Sequence, residues 1–175
     1  ADESISVTPG AIADSASVQI DSNISLDFEN LGATRTFTID PGAGTDTITF
    51  AGTANNDTAT ITDASVTING QVYAITAANN EVIVVNLGDG DDTATVTPDA
   101  ETAITVNGGD PTASDTLNFT GAGAAITVAL DTETITETGL MAVSTSGFEH
   151  INVAGGAAAV TVSGGAANDA LVVST

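Results

Sequence analysis

The chain has 175 residues and a formal net charge of −22, from 23 Asp and Glu against one basic residue, Arg35. With so little positive charge, nothing can displace counterions from a phosphate backbone or bind an anionic lipid surface, so nucleic acid and membrane surfaces are excluded as partners. There is no cysteine, hence no disulfide framework and no thiolate metal site, and no apolar run approaches the ~20 residues of a membrane helix.

Aromatic residues are five Phe and Tyr73. A core must therefore be built from Val, Ile, Leu and Ala, which suits thin, ladder-like interiors. Ala1-Asp2-Glu3-Ser4 reads as a start exposed by signal cleavage. Residues 1–35 form an N-terminal segment of strands: Ile5 to Val7, then Val18 to Ile20, with a turn marked by Pro9-Gly10. Ile24, Leu26 and Phe28 alternate with Ser25, Asp27 and Glu29, the pattern of a half-buried strand. No helical period is visible, and β-branched residues dominate the runs.

From residue 36 the chain repeats. Asp46 matches Asp115, and Phe50-Ala51-Gly52 matches Phe119-Thr120-Gly121, both at a step of 69. Glu81 matches Glu149 at 68. The repeat domain spans 36–175, with copies at 36–102 and 103–159 and a partial copy at 160–175. Asp46, Asn69, Asp92 and Asp115 lie 23 residues apart, which predicts stacked coils of about that length. The expected fold is all-β, a right-handed parallel β-solenoid. The competing signal is Asn69-Gly70 between two alternating runs, a strong hairpin mark that favours an antiparallel β-sandwich.

The chemistry concentrates in glycine-rich acidic turns. Val82 to Thr97 reads as strand, turn and strand, and its turn carries Asp89, Asp91 and Asp92, with Gly88 before them and Gly90 among them. Short carboxylates and backbone carbonyls on a tight loop are hard oxygen ligands that suit Ca²⁺. Pro41 to Thr49 and Gly164 to Val172 each depart once from the calcium nonapeptide G-G-x-G-x-D-x-U-x. Asp46, Asp57, Asp110, Asp115 and Asp169 thereby join Asp89, Asp91 and Asp92 as expected metal ligands, one turn supplying carbonyls and the next an aspartate. The plainer alternative is that each Asp caps its own turn.

The phrases N-L-G-D-G-D-D-T-A-T-V-T-P, V-N-G-G-D-P-T-A-S-D-T-L-N-F and I-T-E-T-G-L-M-A-V-S-T-S-G-F-E-H-I-N-V resemble the long tandem-repeat surface and secreted proteins of planctomycetes and other environmental bacteria, with turns of the haemolysin (RTX) type. The resemblance covers 36–175 and implies an extracellular, calcium-binding, adhesin-like setting. The expected function is a structural or adhesive surface module, stabilised by Ca²⁺. It self-associates through open β-edges into filaments, with residues 1–35 as an assembly arm. An ice- or carbohydrate-binding solenoid is the alternative, because Thr47-Ile48-Thr49, Thr58-Ala59-Thr60, Thr93-Ala94-Thr95 and Thr134-Ile135-Thr136 each put two threonines on one side of a strand. An enzyme is not expected: adjacent Asp91 and Asp92 face opposite ways, and His150, the sole histidine, has no nucleophile beside it.

Overall fold

The computed structural model describes residues 2–10, 15–23, 25–30, 36–76, 81–110, 114–156 and 158–165. Within them the chain is all-β, with no helix. The N-terminal strands are β1 (Ser4–Pro9), β2 (Ala16–Ile20) and β3 (Leu26–Phe28). Next come β4 (Thr36–Ile39), β5 (Thr47–Ala51), β6 (Thr58–Ile61), β7 (Ser65–Ile68) and β8 (Gln71–Ile75). The centre holds β9 (Val82–Gly88), β10 (Thr93–Val96), β11 (Ala103–Gly109) and β12 (Thr116–Thr120). The last five are β13 (Ile126–Ala129), β14 (Thr134–Glu137), β15 (Val143–Ser146), β16 (His150–Ala154) and β17 (Val160–Ser163).

They form two sheets. One has the order β17-β13-β14-β15-β11-β9-β5-β1-β2-β3, the other β16-β12-β10-β6-β7-β8-β4. From β9 to β12 the chain alternates between them, so β9 and β11 pair in parallel in the first sheet and β10 and β12 in the second. Such strands cannot be joined by tight turns within one sheet; here each return passes through the opposite sheet. The register advances by 23 residues from Thr93 to Thr116 and by 35 from Thr58 to Thr93. The longer step contains the antiparallel hairpin β7–β8, whose turn is Asn69-Gly70, both at positive φ (51° and 84°). Asn and Gly are the residues that tolerate this conformation. A second hairpin, β13–β14, widens the step from β11 to β15 in the same way.

Inward positions stack as aliphatic ladders. Ile48, Ile83, Ile104 and Val143 lie in register in one sheet, and Ala59, Ala94, Leu117 and Ile151 in the other. All but Ile151 are buried, and each large aliphatic side chain so buried contributes about 1.5–3 kcal/mol. Near the N-terminal strands, Phe28, Phe37, Tyr73 and Phe50 form a chain of ring contacts between the sheets, with Phe28 and Phe37 centroids 4.6 Å apart. At the opposite end Val160 and Val162 of β17 are 45% and 43% exposed.

The N-terminal strands differ from the simplest expectation in two respects. β1 pairs in parallel with β5 of its own chain, and β2 and β3 continue the sheet as a meander. The alternation at Leu26 does not bury it: Leu26 is 59% exposed because β3 is the sheet's last strand, and only Phe28 finds a partner.

Candidate functional site

The acids sort by their position relative to the strands. Glu3, Asp46, Asp57, Glu81, Asp92, Asp115 and Glu149 each immediately precede a strand. Because the strands pair in parallel, these positions stack at the strand starts, where an amide of one strand lies beside a side chain of the next. The Glu3 amide donates to Asp46 Oδ1 at 2.6 Å, and the Asp46 amide to Glu81 Oε2 at 2.9 Å. In the other sheet the Asp57 amide donates to Asp92 Oδ1 (2.6 Å), the Asp92 amide to Asp115 Oδ1 (2.7 Å) and the Asp115 amide to Glu149 Oε2 (2.7 Å). The direction is constant: each carboxylate reaches back to the amide of the preceding layer. Charge-assisted bonds of this kind are short and about twice as strong as neutral ones.

Only half of each group is used in this way. Asp46 Oδ2, Glu81 Oε1, Asp92 Oδ2 and Asp115 Oδ2 are buried without a hydrogen-bond partner, and the residues that carry them are at most 1% exposed. Burial raises the pKa of Asp92, aided by the charges of Asp57, Asp115 and Asp91 and opposed by the Asp57 amide. The pKa of Glu3 is raised first by a side-chain hydrogen bond with Asp46 and then by burial.

The turns that lead into the seven-stranded sheet stack as closely as the strands. Asp91 is exposed, accepts the Ser114 amide at 3.0 Å, and donates its own amide to Asn56 Oδ1 at 3.0 Å. Glycine is required here by space. A Cβ on Gly108 would lie 2.8 Å from Asp115 Oδ2 and closer still to the Gly147 carbonyl oxygen, and one on Gly88 would lie 2.7 Å from the Thr53 carbonyl oxygen. Asp89 is exposed at the turn tip, and Asp110 is half-buried, with its amide donating to the Gly88 carbonyl at 3.2 Å.

The eight expected ligands therefore divide. Asp57, Asp92 and Asp115 come together in one column, flanked by Asp89, Asp91 and Asp110 on the turns. Asp46 belongs to the other sheet and stacks with Glu3 and Glu81 instead. Asp169 lies outside the described residues. The 23-residue spacing groups Asp92 correctly with Asp115, but Asn69 sits beside Asp57, where its side-chain NH₂ donates to Asp57 Oδ1 and its Oδ1 accepts the Thr58 amide at 2.9 Å. Among the described residues no three Asp, Glu or His side chains converge as a metal-holding group. The carboxylates that keep an unpaired oxygen instead lie on neighbouring layers, Asp115 bonded to the Asp92 amide and Glu81 to the Asp46 amide. As donors they are hard and anionic, the type Ca²⁺ takes, and any shell built on a pair draws its remaining ligands from turn carbonyls and water.

Glu81, Glu149 and Glu137 were not among the expected site residues. Glu137 is 2% exposed and accepts the Ala122 and Ala124 amides at 2.9 and 2.7 Å, closing the turn before β13. The signal for the first two was present: an acid directly before an alternating run, as at Glu81-Val82-Ile83 and Glu149-His150-Ile151. Compared with protein-family models, curated proteins and solved structures, the chain matches none of them.

Proposed function

We propose that the chain is a structural or adhesive module of a secreted or cell-surface protein: a right-handed β-solenoid whose stacked acidic turns are stabilised by Ca²⁺ and whose free sheet edges join copies into filaments or arrays. The observation that carries this reading is the carboxylate column, in which Asp92 and Asp115, on adjacent layers, each keep a buried oxygen with no partner. A buried anionic oxygen without compensation is costly, and the described residues hold no basic side chain other than His150. A hard divalent cation at Asp92 and Asp115, with Asp89, Asp91 and Asp110 on the surrounding turns, supplies the missing charge. Right-handedness follows the rule for parallel crossovers, and the extracellular setting follows the resemblance of the repeats. Self-association is supported by β16 and β17, which end their sheets among the described residues, and by the exposed Val160 and Val162, since uncovered edges pair readily with another chain.

The test is a thermal melt of the chain in Ca²⁺, in chelator, and in NaCl of matched ionic strength. A ligand of the folded state at a hundred times its Kd adds about 2.7 kcal/mol. The expected result is a midpoint higher in Ca²⁺ than in matched NaCl. Equal midpoints would remove calcium from the reading.

A further inference from the structure

The outward face of the seven-stranded sheet carries no carboxylate on its parallel strands β6, β10, β12 and β16, where His150 is the only titratable side chain. Thr58, Thr93, Thr116 and His150 stand side by side in one row, and Thr60, Thr95, Asn118 and Asn152 in the next. Thr67 of β7 extends the second row. Parallel pairing sets the spacing at about 4.8 Å along a row and about 6.6 Å between rows. Asn152 Nδ2 donates to Asn118 Oδ1 at 2.9 Å, which holds that end of the row in order. The outward threonine hydroxyls are left to solvent, and β-branching limits their χ1 freedom, so little entropy is lost when they are engaged. In a chain of net charge −22, the result is a carboxylate-free, regularly spaced floor of hydroxyls and amides between acidic turns, with His150 at one corner.

We propose that this face binds an ordered lattice of water, the surface of ice. Exchanging a hydroxyl–water bond for another hydroxyl bond gains little, so isolated sugars or ions would be held weakly. A net gain requires a partner that is uncharged, repeating and already ordered, so that many contacts form for one loss of translational freedom. Ice meets those conditions. Phe50, Tyr73 and Phe119 are buried in the core, Phe28, Phe37 and Phe148 are partly buried against it, and none stands in the outward rows of β6, β10, β12 and β16, so those rows offer a sugar polymer no aromatic platform. This inference is independent of calcium and of self-association.

Ice growth in the presence of the purified chain tests it, by crystal shape and by the rate of recrystallisation. Wild type is expected to facet crystals and slow recrystallisation. Thr95→Tyr, which puts a ring in the middle of the floor, should lose activity roughly tenfold or more, because neighbouring contacts fail together. Thr49→Tyr, on the outward side of β5 in the other sheet, should retain it. If Thr95→Tyr lowers the melting midpoint, Thr60→Tyr, at an exposed position of the same row, replaces it. Ice that grows as in buffer overturns the proposal, as does equal activity of wild type and both floor variants. Adsorption to insoluble cellulose without any effect on ice overturns it in favour of a polysaccharide.

Discussion

At the scale of single residues, one oxygen of a carboxylate does the structural work while the other remains a liability. Asp115 Oδ1 accepts the Asp92 amide, and Asp115 Oδ2 is buried without a partner. Asp115→Asn keeps the acceptor and removes the buried charge, so it should leave stability within about 1 kcal/mol of wild type in the absence of calcium. Asp115→Ala strands the Asp92 amide and should cost about 1–3 kcal/mol. Urea unfolding of both variants checks the pair. Similar losses in both would mean that the charge, rather than the acceptor, holds the layers together. On the proposed reading of a cation at Asp92 and Asp115, Asp115→Asn also removes an anionic ligand and should abolish any calcium-dependent rise in midpoint.

At the scale of elements, the hairpin β7–β8 pairs with β6 through its backbone and reaches the column through the side chain of Asn69. Asn69 holds the left-handed position of the turn, accepts the Thr58 amide and donates to Asp57. Asn69→Ala removes both hydrogen bonds and puts alanine at positive φ, for a combined loss of about 2–4 kcal/mol. Asn69→Gly relieves the backbone and loses only the bonds, so it should fall between alanine and wild type in a thermal melt. A hairpin that merely decorated the surface would show no difference between the two. The parallel strands rely on another device. Their stacking needs glycine where one turn crosses closely over the next, as at Gly108 over Gly147 and Asp115.

For the whole molecule, the balance of charge decides the response to pH. Asp92 and Glu3 have pKa values raised above their ordinary values of 3.8 and 4.5. A carboxyl that binds its proton more tightly when folded contributes stability fully below the unfolded value, and loses it as pH rises through the folded one. Acidification also reduces the self-repulsion of a chain with net charge −22. The melting midpoint without calcium should therefore be higher near pH 4 than near pH 8, in contrast to proteins whose carboxylates are salt-bridged. Asp92→Asn should flatten part of that slope. A midpoint that climbs steadily from pH 4 to pH 8 would show that the Asp57 amide bond to Asp92 outweighs the burial of its carboxylate.

Much of the architecture was legible in the chain. Alternating Thr and Val or Ile runs fixed the strands, because period two is the only pattern that buries one side of an extended backbone. Asn69-Gly70 gave the hairpin through its backbone chemistry alone. The acid before each run marked where strands begin, and Asp92 and Asp115 were correctly read as equivalent. Other assignments were open, since one-dimensional spacing does not say to which of two sheets a strand returns. Asp46 shares the 23-residue step yet stacks with Glu3 and Glu81 in the opposite sheet. Thr58-Ala59-Thr60 lies beside Thr93-Ala94-Thr95, whereas Thr47-Ile48-Thr49 looks identical in pattern and faces away in the other sheet. The sequence by itself determined that this is an acidic, cysteine-free β chain with carboxylates at its corners. Which corners meet, and which oxygens are left buried and unpaired, was decided only when parallel pairing across long separations brought distant turns into register.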